Sequence, residues 1–284
     1  MTLPVRNNRV QLPQGHVFWR EIGQGSALVF LHGAWNTGEQ WIDIIQALGQ
    51  EYQCVAPDLI GFGESERRKK HYSIQLEVDC LEDYLKLLRI KQCVLVGYGL
   101  GAWVAATYAL THPNAVSGLV LAAPEGIATD KLQGRWRGWS LLSSPIPLVG
   151  WFLRLRAGVA TLLGGGRSPQ ATIRLRRMLR QSPAACQLLF KRRRSELHSE
   201  YLQDRVFELR HPTLILQSAD DSPDVIAIAQ AYAQAPNATV DVVPSIYPAK
   251  PWMLSKQDAI TAANQIDQAI APIIKTFVEQ ACRR

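Results

Sequence analysis

Short, wholly apolar runs alternate along this chain with longer stretches in which apolar residues recur every three or four positions. Ala27-Leu28-Val29-Phe30-Leu31, Val94-Leu95-Val96, Gly118-Leu119-Val120-Leu121-Ala122 and Pro212-Thr213-Leu214-Ile215-Leu216 are of the first kind. Each is bounded by turn residues, the pattern of a strand buried on both faces of a parallel sheet. Leu76, Val78, Leu81, Tyr84, Leu85 and Leu88 form the inward side of a helix predicted over 73–89. Further helices are expected near 100–111, 223–234 and 257–281. RVQLPQGHVFWREIG alternates about Pro13-Gln14-Gly15, as a β-hairpin does. Cys54-Val55-Ala56 and Thr239-Val240-Asp241-Val242-Val243 add two strands. The whole predicts an α/β fold: a doubly wound, mostly parallel sheet with right-handed crossovers.

The chain has 284 residues, 47% of them hydrophobic, enough for one large core. Its formal charge of +7 is unevenly placed. From Lys131 to Leu197 fourteen Lys and Arg face one acid, Glu196, so that quarter carries 14 − 1 = +13 and the remainder 7 − 13 = −6. Five scattered cysteines without C-x-x-C spacing read as reduced, buried thiols. The start, MTLPVRNNRVQLPQ, lacks an apolar signal core, and no run of about 18 uncharged apolar residues occurs, so a cytoplasmic protein is expected.

The apolar run ending at Val96 passes into Gly97-Tyr98-Gly99-Leu100-Gly101 and then an Ala-rich helix. This is the strand, tight turn and helix of a G-x-S-x-G nucleophile elbow, with Gly99 where the serine belongs. Leu31-His32-Gly33 follows the third strand, and Asp58-Leu59-Ile60-Gly61-Phe62-Gly63-Glu64-Ser65 follows the fourth. Together with Asp220-Asp221 after Leu216, these motifs resemble the α/β-hydrolase superfamily, close to its esterase, epoxide-hydrolase and haloperoxidase-like branch. The resemblance covers residues 9–125 and 205–281. It implies an eight-stranded core, residues 1–125 and 205–284, carrying a helical cap, 126–204, that here is basic and Trp-rich.

A member of that family needs a nucleophile, a histidine base, an acid and backbone donors for an oxyanion. By the resemblance the donors are the N–H groups of Leu100 and Ala34, in a pocket bordered by His32, Gly33, Trp35 and Tyr98. The Tyr98 side chain is expected beneath the turn. The acid falls at Asp221, or alternatively at Glu125. The histidine falls near Pro248. Gly99 carries no nucleophile, and none of the six histidines follows His211. No intact catalytic residue, metal site or cofactor is expected. Asp58 is expected to brace its loop through backbone N–H groups.

In the cap, Arg135, Trp136, Arg137, Trp139, Trp151, Arg154 and Arg156 interleave cations with aromatic rings. They suit either a solvated face over packed apolar residues or an anionic membrane surface with tryptophans at headgroup level. The Lys191-Arg192-Arg193-Arg194 run is expected on a solvated helix face. The expected function is that of a catalytically degenerate hydrolase fold, a binding or scaffold protein rather than an enzyme. Its partners would be a hydrophobic or amphiphilic small molecule and an anionic membrane or acidic protein. The alternatives are a hydrolase or lyase in which Asp58, Glu125 or Asp221 activates water, and a basic adaptor. Nucleic acid is disfavoured, because no recognised nucleic-acid-binding motif accompanies the charge.

Overall fold

The computed structural model describes residues 3–68, 71–144, 169–244 and 256–281, with side chains left out at 130–135, 169–170 and 256–268. Eight strands form one sheet in the order β1-β2-β4-β3-β5-β6-β7-β8. They are β1 (Arg6–Leu12), β2 (Gly15–Ile22), β3 (Ala27–Leu31), β4 (Gln53–Pro57), β5 (Cys93–Tyr98), β6 (Val116–Ala122), β7 (Thr213–Ser218) and β8 (Ala238–Val243). The β1-β2 hairpin and the β2-β4 pair are antiparallel, and every other pair is parallel. The four runs with continuous apolar character become the central strands, with β3 buried at all five positions.

Helices cover both faces. On one lie α2 (Ile74–Leu87) and α3 (Leu100–Thr111); on the other lie α1 (Ile42–Leu48) and the last helix, Lys256–Ala281. Ser73 caps α2, its Oγ accepting from the Leu76 N–H at 3.0 Å. Helix α3 is buried all round from Leu100 to Ala109, and its internal hydroxyl, Thr107, donates to the Trp103 carbonyl. Between β6 and β7 the chain forms α4 (Asp130–Leu142), α5 (Pro169–Gln181), α6 (Pro183–Cys186), a π-helical turn (Gln187–Lys191) and α7 (Arg194–Glu200). Cys54, Cys80, Cys93 and Cys186 are buried free thiols. Burial pushes Cys54 and Cys93 up to about 12, so both remain protonated and inert.

Asp58 ties three segments together. Its carboxylate accepts from Arg20 Nη1 at 2.9 Å, from the Gly38 N–H at 2.7 Å and from the Glu64 N–H at 2.9 Å. Ser65 closes the loop, its hydroxyl donating to the Asp58 carbonyl while accepting from the Phe18 N–H. A Cβ on Gly63, at φ +50°, would lie 2.0 Å from Asp58 Oδ2, which explains the glycine.

Glu77 of α2 is buried beside the same loop. One carboxyl oxygen accepts from the Ile60 N–H at 3.1 Å, and Oε1 has no hydrogen-bond partner. Burial pushes its pKa up to about 8, against smaller opposing pulls from the Ile60 N–H and Arg68. The folded protein therefore keeps this proton while the unfolded chain loses it near pH ~4.3. Stability must fall as pH rises between those values and be indifferent to Glu77 below them. Glu77→Gln, an isostere that stays neutral, is expected to gain on the native protein from about pH 4.3 to about pH 8. Denaturant unfolding across that range measures it, and a pH-independent difference would contradict the assignment.

Candidate functional site

The site is built where β5 turns into α3. Gly97 and Gly101 frame the turn because nothing larger fits. A Cβ on Gly97 would lie 2.5 Å from the Ala102 backbone, and one on Gly101 would lie 2.1 Å from the Leu31 carbonyl oxygen. Gly99, at the centre, differs. Its φ is +54° and its ψ −112°, yet among the described residues a Cβ there would find only Gly33 Cα, 3.9 Å away. The elbow conformation is intact, and no other described residue crowds its centre. Its position is held by β6: the Gly99 N–H donates to the Ala122 carbonyl at 3.0 Å, and the Gly99 carbonyl accepts from the Glu125 N–H at 3.2 Å.

His32 positions the facing loop rather than lining the pocket, a correction to its expected role. It is fully buried. Nε2 lies 2.9 Å from the Leu59 N, so it accepts, and Nδ1 lies 2.8 Å from the Gly33 carbonyl oxygen, so it donates. These two contacts require the neutral imidazole, and burial lowers its pKa accordingly. The Gly33 N–H donates to Gln40 Oε1, and the Gly33 carbonyl also accepts from Asn36 N–H. With that carbonyl committed, the planar peptide turns the Ala34 N–H the opposite way. The Leu100 N–H belongs to the first turn of α3, where no preceding turn supplies an acceptor. Neither amide has a hydrogen-bond acceptor among the described residues.

Tyr98 packs against the apolar core on the sheet face opposite α3. Its half-buried ring packs against Gly33, and burial, then Asp221, then Glu125 raise its pKa. Both carboxylates thus act on the phenol electrostatically, as lesser causes after burial. Asp221 Oδ2 accepts from the Ser218 N–H at 2.8 Å, and desolvation raises the Asp221 pKa. Tyr232 donates to the Glu125 carbonyl at 2.7 Å. Asp58 is excluded as a water activator, since its buried oxygens are already committed to Arg20, Gly38 and Glu64.

All six histidines stand elsewhere. Besides His32, His71 reaches Glu196, His112 reaches Glu82 and stacks on Tyr108, and His211 contacts the Pro113 carbonyl. His198 lies against Tyr201, and His16 is exposed on β2. The expected histidine position, Pro248, lies outside the described residues. Among the described residues no three His, Cys, Asp or Glu form a metal-binding group.

The cap meets the site through aromatic rings. Trp35, next to the Ala34 amide, packs edge-on against Trp139 at 5.5 Å; Trp139 meets Trp136 at 5.3 Å, and Trp136 stacks on Phe190. Trp136 and Trp139 therefore face the protein, as in the reading of packed apolar residues beneath a solvated face, and not a headgroup layer. Trp136 is only 9% exposed. Arg192 also departs from the expected solvated run. It is buried, paired with Glu200, and donates to the Gln187 and Leu188 carbonyls. Of the remaining cap residues, Arg137 is exposed, the Arg135 side chain is not described, and Trp151, Arg154 and Arg156 lie outside the described residues. At the cap exit, Trp103 Nε1 donates to the Glu200 carbonyl at 3.1 Å and its ring stacks on Tyr201. The elbow helix thus carries the clamp that seats the cap.

The alpha/beta hydrolase fold model matches residues 26–245. An uncharacterized Mycobacterium tuberculosis protein is 31% identical over 112 residues, 39% of this chain and 33% of that protein. The chain thus spans about a third of the length of that relative. The 2-hydroxy-6-oxo-2,4-heptadienoate hydrolase of Pseudomonas putida is 26% identical over 211 residues, covering 71% of this chain and 74% of the hydrolase. A thermophilic esterase from Thermogutta terrifontis superposes with a TM-score of 0.68 at 17% identity, over 97% of this chain and 99% of the esterase. That last likeness is one of fold.

The glycine frame separates two costs that substitution can measure. Gly99→Ser has room for its side chain and is expected to cost only the backbone strain of positive φ, about 1–2 kcal/mol. Gly101→Ala drives a Cβ into a fixed carbonyl and is expected to cost about 3 kcal/mol or more. Denaturant unfolding of the two variants side by side gives the order, and the reverse order would refute the geometry.

Proposed function

The chain belongs to the α/β-hydrolase family, and we propose that it is a member that binds a ligand at the elbow without hydrolysing it. The observation that carries this is Gly99, an elbow kept in its strained conformation with no nucleophile on it. A missing serine alone would leave a base behind. Here each of the six histidines is engaged or exposed elsewhere, so neither the attacking group nor its proton acceptor is at hand.

What remains suits recognition. Two amides, Leu100 and Ala34, offer donors to one oxygen, and a helix N-terminus adds its partial positive charge. Trp35 with Trp139 supplies apolar wall. The ligand that fits is hydrophobic or amphiphilic, with a carbonyl or anionic oxygen at one end. In a hydrolase such donors stabilise a transition state; with no chemistry to follow, the same contacts act on the ground state and become affinity.

A second mechanism has one observation in its favour. Desolvation raises the Asp221 pKa, the direction that favours a carboxylate acting as a base. Its signature would be turnover lost in Asp221→Asn.

The test uses a dansyl-labelled fatty acid for binding and p-nitrophenyl esters for turnover. The native protein is expected to bind the probe and to leave the esters untouched. Gly99→Ser is expected to remain inactive, because it restores an oxygen but no base. Gly99→Leu, which fills the open space, is expected to abolish probe binding with a folded-state cost similar to that of Gly99→Ser. Ester turnover by the native chain that disappears in Asp221→Asn would replace the binding function with carboxylate-driven catalysis. Probe binding untouched by Gly99→Leu would remove the elbow from the site.

A further inference from the structure

Helices α4 and α5 pack on a shared apolar cluster that includes Trp139, Leu175, Met178 and Leu179. Arg176, buried on α5, locks the pair by donating to the Leu142 carbonyl at the end of α4. With their inner sides so engaged, the two helices turn outward a set of residues of one character. On α5 these are Arg174, Arg177 and Arg180, spaced three apart and therefore on one helical face. On α4 they are Arg137 and, four residues on, Leu141, which is 64% exposed. Among the described residues none of these four arginines forms an ion pair.

We infer that this outward face of the cap docks on an anionic lipid bilayer. The inference deepens the binding function by placing it at a surface from which an amphiphile can be taken. Three observations select the partner. Exposed arginines on one face complement a layer of phosphate and carboxylate headgroups. The rest of the chain is net negative, so the field of the molecule turns the cap, and not the core, toward such a layer. Leu141, beside Arg137, gives that face an apolar side chain suited to the boundary between headgroups and acyl chains. A nucleic-acid backbone would match the cations but has no use for the leucine. Docking is peripheral: among the described residues no helix is long and apolar enough to cross a membrane.

Flotation of the full chain with phosphatidylcholine vesicles, with and without phosphatidylserine, tests this. Binding is expected only to the anionic vesicles and is expected to weaken at high salt. The triple variant Arg174→Ala, Arg177→Ala, Arg180→Ala places a strong helix former at exposed positions and should fold normally, which circular dichroism checks. It is expected to lower partitioning by about two orders of magnitude, while Leu141→Ala lowers it severalfold. No flotation with anionic vesicles overturns the inference. So does flotation unchanged in the triple variant, or salt-sensitive binding to duplex DNA that matches vesicle binding and ignores Leu141→Ala. Dansyl fatty-acid binding by the same triple variant reports on the pocket alone: if it persists while flotation is absent, only the membrane inference fails.

Discussion

An approach of backbone to backbone with no room for a Cβ, that of Gly101 to the Leu31 carbonyl, governs the centre of this molecule. It brings the first turn of α3 against the end of β3, so the Leu100 amide and the loop after His32 must face one another. Gly97 repeats the constraint on the strand side, where its Cα lies too close to Ala102 for any side chain. With both flanks fixed, the chain between them must turn within one residue, and Gly99 takes up the positive φ. The strained elbow is a consequence of packing as well as an instrument of catalysis, and it persists where the nucleophile does not.

The same packing makes β3, β5 and most of α3 costly to alter. Buried along most of their length, they have few positions at which a polar substitution is cheap. The loops around them hold their shape through single polar residues. Asp58 satisfies two backbone N–H groups and a buried guanidinium, and His32 serves one N–H and one carbonyl. Each works as a bracket between segments distant in sequence. Removing either strands donors or acceptors that water cannot reach.

The order of strands and helices was legible because parallel strands buried on both faces leave unbroken apolar runs, and because turn glycines punctuate them. The elbow frame was legible for the same reason. Contacts between remote segments were not. Nothing local in Leu31-His32-Gly33 tells that the imidazole reaches across to Leu59. The cap shows the limit most clearly. Alternation of Arg and Trp over 135–139 suggests an exposed, membrane-facing ribbon, yet helical geometry sends Trp136 and Trp139 inward together and leaves Arg137 outside. Spacing three apart, not composition, decided which residues share a face. Arg192 in its basic run likewise found an acid, Glu200, that lies one helix onward.

Charge in the cap therefore divides by burial, and the division carries physical meaning. Arg176 and Arg192 are enclosed, and each is met by carbonyls or a carboxylate, as a buried cation must be. Arg137, Arg174, Arg177 and Arg180 remain outside, and among the described residues no acid pairs with them. A protein that needed positive charge only for solubility could draw it from anywhere on its surface, and an interspersed pattern would repel itself less. Concentrating it on the element that roofs the elbow, while the core stays net negative, costs self-repulsion that the fold alone does not explain. An external negative surface would relieve that repulsion at the element whose Trp139 packs on Trp35.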